Sequence, residues 1–372
     1  MKIFFPKEPD NELRTPIVPL VVQKFRSLEF DVLVEKGIGQ TVSLNDDVYL
    51  KEGAKIIKNR VEAFSSADIV CRLNVPNIEE TQHLKHNSIH ISFLDPFNQR
   101  ELIDAFAKQS VTAISMEMVP RVTRAQKMDA LSSQASLAGY SAVIEAAEKL
   151  NKVFPMMMTP AGTVSPAKVF VVGVGVAGLQ AIATAKRLGA RVEAFDTRPT
   201  VEEQVLSLGA KFVKIDIGQL EETEQGYAKE LNAEQLELQR QGMIKVCGYS
   251  DVIITTAQVF GKKAPLIITQ DMIDAMQPGS IIIDMAVSTG GNVEGSVAGK
   301  TVISNGVIII GNEHLPASVA AHASQVYANN LYSMIEEFWD KENKIMNIDI
   351  NDEILSGCVV SHSGESIDPL SK

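Results

Sequence analysis

From residue 1 to about 125, short apolar runs alternate with longer stretches of helical spacing. Residues 3–5, 31–34, 69–73, 88–93 and 111–114 read as strands, and residues 16–28 and 98–109 as helices between them. Apolar strands separated by helices of this length predict a parallel sheet covered on both faces. The pattern then changes. Residues 127–150 contain no proline and one glycine, Gly139, with Met128, Leu131, Ala135, Ala138, Ala142 and Ala146 at helical spacing, so one long helix is expected. Pro155 and the segment 156–160 end it. A second series of strand candidates follows at 168–172, 191–195, 211–215, 252–256, 280–285 and 301–309, read as six strands of a doubly wound sheet. Another long helix is expected over about 318–341, after which the chain closes in a tail with Gly, Ser and Asp.

Two long helices on either side of the second series imply that the chain leaves its first domain once and returns to it. Residues 1–126 with 312–372 then form a discontinuous first domain and residues 127–311 the second. A cleft between the two is the expected ligand site.

Composition narrows the function classes. The 372 residues are enough for about two domains. Thirty-five Lys and Arg against 46 Asp and Glu leave a net charge of −11, so the broad positive field that a phosphate backbone requires is missing and nucleic acid is excluded as a partner. Cys71, Cys247 and Cys358 are far apart, with no metal-ligand spacing, which fits a reduced compartment and no metal site. The N-terminus turns charged before a signal-like run forms, so a cytoplasmic chain is expected. Residues 169–185 are the most apolar stretch, yet they are too short to span a bilayer and contain three glycines, Gln180 and Thr184.

Those three glycines carry chemistry. Residues 168–172 run as a strand into Gly173, Val174, Gly175, Val176, Ala177 and Gly178, and a helical segment follows. Gly173 permits the tight turn, Gly175 lets the backbone approach a pyrophosphate, and Gly178 lets helix and strand pack closely. The next strand ends at Phe195-Asp196, where a carboxylate is placed to accept hydrogen bonds from an adenosine ribose. Asp196 repels a 2′-phosphate and so favours NAD over NADP, whereas Arg198, two residues on, softens that preference. The expected fold class is α/β, two Rossmann-like doubly wound parallel-sheet domains linked by long helices, the second of them NAD-binding.

Most nicotinamide-dependent dehydrogenases move a proton with the hydride and need a general acid or base. None stands out here. His83, His86 and His90 lie in a polar stretch that reads as a solvated connection, and His322 as a packed or surface residue. A polar constellation over residues 120–134 does stand out, with Asp129, Ser132 and Ser133 about one helical turn apart. It reads either as a helix cap with solvated neighbours or as a group aimed at the cleft.

Residues 121–140, RVTRAQKMDALSSQASLAGY, together with GVGVAG at 173–178, GYAKE at 226–230 and IDMAV at 283–287 before GGN at 290–292, resemble the NAD(H)-binding component (domain I) of proton-translocating nicotinamide nucleotide transhydrogenases, in the alanine dehydrogenase/transhydrogenase family. The resemblance covers essentially the whole chain. It implies that Arg121, Gln126, Asp129 and Ser132 position the dihydronicotinamide ring, and that Gly226 and Tyr227 belong to a mobile loop closing over the nucleotide. Between Asp216 and Cys247 the sequence is rich in Glu, Gln and Lys, too long and polar for a simple strand connection. Ala257, just past the 252–256 strand, joins the cofactor-binding set with Gly173, Gly175, Val176, Ala177, Gly178 and Asp196.

The related alanine dehydrogenases use a lysine, a histidine and an aspartate that fall at Asn74, Asp95 and Ser288 here, while Arg14 is retained. Hydride transfer from C4 of NADH to C4 of NADP⁺ leaves the proton count unchanged, so positioning alone must supply the rate. The implied activity is transhydrogenation coupled to proton translocation, with NAD(H) on this chain and NADP(H) as co-substrate on a partner. The implied partners are a second copy in a homodimer, an NADP(H)-binding component and a membrane-spanning proton-channel component that attaches this chain peripherally to the inner membrane. The rival readings are a self-sufficient NAD-dependent amino-acid dehydrogenase and a non-catalytic NAD-sensing module.

Overall fold

In the computed structural model, which describes residues 1–215, 233–258 and 261–368, the chain divides into two compact units, Met1–Gln134 with Ala317–Lys372, and Ala135–Pro316. The first is built on an eight-stranded sheet in the order Glu365–Ser366, Val359–His362, Thr112–Ser115, Ile89–Ser92, Ile69–Cys71, Lys2–Phe5, Asp31–Glu35, Lys55–Ile57. From Thr112–Ser115 to Lys55–Ile57 every pairing is parallel. Ile3, Phe4 and Phe5 are all fully buried, as expected of a strand covered on both faces. The chain moves outward from Lys2–Phe5 through Asp31–Glu35 to Lys55–Ile57, then returns to lay Ile69–Cys71 on the other side of its first strand. That reversal puts a topological switch point between Lys2–Phe5 and Ile69–Cys71.

The tail supplies strands the sequence pattern hid. Val359–His362 runs antiparallel to Thr112–Ser115 and turns back into Glu365–Ser366. Three of its residues, Val359, Val360 and Ser361, are buried, so this segment closes the sheet edge that the parallel strands leave open.

The second unit has seven strands, in the order Lys211–Phe212, Arg191–Phe195, Lys168–Val172, Val252–Thr255, Ile281–Asp284, Val307–Gly311, Lys300–Ser304. All pairings are parallel except the last. Here the expectation of one strand over 301–309, and hence of six in the sheet, is corrected. The segment is a hairpin folded at Asn305-Gly306, whose φ angles are +48° and +83°. Both residues tolerate the left-handed region, and the Asn-Gly pair is the strongest short hairpin signal. Strong apolar runs on both sides concealed it.

Long helices occupy Ala130–Lys149 and Ala320–Phe338. The first begins three residues later than expected, because Thr123–Met128 is a 3₁₀ segment. Lys211–Phe212 is shorter than the run 211–215, and an antiparallel hairpin of Met157–Thr159 with Gly162–Val164 follows the first long helix. Among the described residues no helix is long and apolar enough to cross a membrane.

Candidate functional site

The glycine turn sits at the carboxyl end of Lys168–Val172, beside the switch point with Val252–Thr255. Gly173 has φ +95°, and a Cβ there would lie 2.7 Å from Thr256 Oγ1 and 3.2 Å from the Ala257 nitrogen. At Gly178 a Cβ would lie 2.0 Å from the Gly173 carbonyl oxygen, so the helix Val176–Arg187 approaches the turn as closely as backbone permits. Gly175 caps that helix and is different: a Cβ there would meet nothing within 4 Å. The missing side chain leaves open space beside the N–H groups of the first turn, which have no intrahelical acceptors. Such a cradle fits a pyrophosphate.

Asp196 stands against this turn. Its Oδ2 accepts from the Val174 N–H at 2.7 Å, and its Oδ1 from the Arg198 N–H at 2.9 Å. The Arg198 guanidinium folds back on it, with Nε 2.9 Å from Oδ1 and Nη2 2.9 Å from Oδ2. Burial opposes the carboxylate charge, but the hydrogen bonds from Arg198 and Val174 prevail and hold Asp196 below its ordinary range.

Ala257 joins the same group of elements through a residue the sequence pattern did not single out for a role. Asn292, fully buried, accepts from the Ala257 N–H and donates to the carbonyls of Ala257 and Pro265. The buried carboxylate of Asp284 holds the Asn292 and Ala286 N–H groups. The available signal was the motif itself, an Asp followed eight residues later by Asn after two glycines.

In the first unit Asp129 and Ser132 come together. Asp129 Oδ1 accepts from the Ser132 N–H at 2.8 Å and Oδ2 from the Ser132 hydroxyl at 2.6 Å, so one carboxylate caps the helix Ala130–Lys149 and fixes the hydroxyl. Ser133 does not join them. It bonds to the Ala130 carbonyl and, at 2.7 Å, to Asn330. Arg121 and Gln126 are exposed, and neither side chain is hydrogen-bonded among the described residues. Their segment is held by its neighbours: Arg124 pairs with Asp352, and Lys127 lies 2.9 Å from Glu337.

The positions that matter in a dehydrogenase are occupied otherwise. Arg14 forms a two-pronged pair with Glu12, at 2.8 and 2.7 Å, and donates to Gln134 at 2.9 Å. Asn74 donates to the same Glu12 at 3.1 Å. Asp95 adopts φ +47°; its N–H and that of Leu94 donate to Glu117, whose carboxyl is pushed up by burial despite those bonds. Ser288 is exposed on the 3₁₀ turn Val287–Thr289. His90 corrects the picture of a solvated histidine stretch, because it is 1% exposed on the strand Ile89–Ser92 and stacked on Phe106. Among the described residues no group of three or more His, Cys, Asp or Glu side chains is arranged to hold a metal. Gly226 and Tyr227 lie outside the described residues.

Comparison with known proteins agrees along the whole chain. The model of the alanine dehydrogenase/PNT N-terminal domain matches residues 4–138 and that of the C-terminal domain residues 142–369. The chain is 44% identical over 377 residues to the first of the polypeptides that make up NAD(P) transhydrogenase subunit alpha in Rhodospirillum rubrum, covering 99% of this chain and 98% of that one. It is 43% identical to the corresponding polypeptide of Rickettsia prowazekii, covering 99% and 96%. The crystal structure of transhydrogenase from Sinorhizobium meliloti superposes with a TM-score of 0.88 at 40% identity, covering 99% of this chain and all of that one. An L-alanine dehydrogenase at 23% identity, TM-score 0.83, shares the fold. The family implies nicotinamide nucleotide binding, and the alpha-subunit relatives support an NAD(P) transhydrogenase role. Matched by both domain models and by full-length relatives, the chain belongs to the alanine dehydrogenase/PNT family, and within it is similar to the transhydrogenase alpha subunits.

Proposed function

We propose that this chain is the NAD(H)-binding component of a proton-translocating transhydrogenase and that it presents NADH for direct hydride transfer to NADP⁺ on a partner subunit. The observation that carries the reading is the Asp129–Ser132 pair, a fixed carboxylate and hydroxyl preceded by the unengaged Arg121 and Gln126. A bound dihydronicotinamide supplies the hydride from C4. Nothing in that transfer adds or removes a proton, so the chain's task is to orient a ring. Arg121 and Gln126 offer donors, and in Gln126 also an acceptor, for the ring carboxamide; Asp129 holds the Ser132 hydroxyl in one orientation beside them.

The remaining contacts follow from the second unit. Val176, Ala177 and Gly178 supply N–H groups for the pyrophosphate, Gly173 and Gly175 give it room, Asp196 takes the adenosine ribose, and Ala257 borders the same turn. Gly226 and Tyr227 are assigned to a loop that closes over the nucleotide. The assembly proposed is a homodimer bound to an NADP(H)-binding component and a membrane-spanning proton channel, at the cytoplasmic face of the inner membrane. Coupling is then conformational, the partner controlling when the two rings meet.

A cyclic exchange assay tests this. With the purified chain, the NADP(H)-binding component and an NAD analogue followed optically, analogue reduction is expected only when both proteins are present. Reduction of NAD⁺ by L-alanine with this chain alone would establish the dehydrogenase reading instead, and NADH binding without exchange in the complete mixture the sensor reading.

A further inference from the structure

In a site that selects NAD by an acidic residue, the carboxylate ordinarily faces the ribose uncovered. Here it does not. Asp196 is 7% exposed at its side chain, and each of its oxygens already has two donors: Val174 N–H and Arg198 Nη2 on one, Arg198 N–H and Nε on the other. Arg198 is 54% exposed, and Nη2 also approaches the Val174 carbonyl at 3.3 Å. Its Nη1 makes no hydrogen bond among the described residues. The outward face of the ribose position is therefore a neutral ion pair with a cation on top.

Two consequences follow from charge alone. A ribose hydroxyl must displace one guanidinium donor to reach Asp196, which costs little, because an exposed ion pair contributes little. A 2′-phosphate meets no net negative charge and finds a planar donor fork able to turn toward it. Resting on the reading of this turn as the NAD(H) site, we infer that Arg198 is a specificity-determining residue, whose guanidinium offsets the repulsion of Asp196 and lets NADP(H) compete weakly for the site.

Affinities of the purified chain for NADH and for NADPH, measured separately from dihydronicotinamide fluorescence, read this without any turnover. The wild-type chain is expected to bind both, NADH more tightly. Arg198→Ala is expected to weaken NADPH by about tenfold or more, the loss of one charge-assisted hydrogen bond, while NADH changes by less than about threefold. NADPH affinity of the wild type is expected to fall more steeply with salt than that of Arg198→Ala. Asp196→Asn, which releases Arg198, is expected to shift the ratio of affinities toward NADPH. An Arg198→Ala ratio within about twofold of wild type, or equal loss of both nucleotides, overturns the inference while leaving the NAD(H) site intact. A wild-type chain that binds neither nucleotide overturns both.

Discussion

The side-chain amide of Asn292 grips the backbone of Ala257 from both sides, its Oδ1 accepting the Ala257 N–H at 3.1 Å and its Nδ2 donating to the Ala257 carbonyl at 2.8 Å. The same Nδ2 reaches the Pro265 carbonyl at 2.8 Å, so one amide ties together both sides of the connection after Val252–Thr255. Only a side chain with donor and acceptor on one planar group does this. Asp284 sets its position by holding the Asn292 N–H at 3.2 Å on each oxygen.

Asn292→Ala is therefore expected to leave three backbone groups unpaired and to cost about 2 kcal/mol or more of stability. NADH affinity should fall about tenfold, because Ala257 adjoins the Gly173 turn. Thermal unfolding and nucleotide titration of the variant check both. Asn292→Asp should not restore it: the carboxylate keeps the acceptor but faces two carbonyls without a proton to offer. Unchanged unfolding in either variant would show that the grip is incidental.

Asp129 separates folding from hydride transfer. Asn caps a helix as well as Asp does, so Asp129→Asn should unfold at the wild-type temperature. It removes the charge and one of the two acceptors that fix Ser132. Hydride exchange with the NADP(H)-binding component should slow by at least about tenfold while NADH affinity stays within about threefold, since an orienting contact acts on the transition state more than on the ground state. Equal losses in rate and affinity would count against the positioning role.

The sequence shows its regular elements best where local pattern and burial agree. Lys168–Val172, Arg191–Phe195 and the Gly173–Gly178 turn were legible because strand, turn and helix are consecutive and their glycines have individual reasons. Val359–His362 was not, since its pairing with Thr112–Ser115 joins segments some 250 residues apart and its composition alone does not reveal the partner. His90 looked solvated among polar neighbours, yet strand pairing with Ile69–Cys71 and Thr112–Ser115 buries it. At the candidate site the sequence brought out Asp129 and Asp196 but not what neutralises or fixes them. Ser132 and Arg198 are near in sequence, but whether their side chains fold back is decided by rotamers, which periodicity does not encode.

His90 gives the fold a pH dependence with a definite sign. Burial first, and then the charge of Arg72, push its pKa down to about 3 from an ordinary 6.5. The folded chain therefore keeps it neutral where the unfolded chain protonates it, and its contribution to stability, fully present above pH 6.5, is lost as pH falls toward 3. Glu8 and Glu117, both raised by burial, act in the opposite sense, favouring the folded state at lower pH. The comparison with His90→Gln isolates the histidine. Between about pH 6 and 4 the stability difference between wild type and variant should shrink by up to about 1.4 kcal/mol per pH unit in urea unfolding. Parallel curves for the two proteins would mean that His90 titrates alike in both states.

The two glycines on either side of Val176-Ala177 should fail in different ways. The helix Val176–Arg187 is held close on two sides: a Cβ at Gly178 would lie 2.0 Å from the Gly173 oxygen, and one at Gly139, on the long helix, 2.2 Å from the Ala177 oxygen. The helix start thus has no slack with which to absorb a methyl group. Gly178→Ala must open the turn itself, at a cost of about 1–3 kcal/mol, and should lower the unfolding temperature together with NADH affinity. Gly175→Ala meets nothing within 4 Å and has an ordinary backbone φ of −85°, so its stability should change by only a few tenths of a kcal/mol. Its methyl group nevertheless projects into the open space at the helix start, and NADH affinity should fall by about tenfold or more. Differential scanning calorimetry and nucleotide titration of both variants decide the matter: a Gly175→Ala chain that folds and binds NADH normally would mean that the pyrophosphate does not lie over this turn.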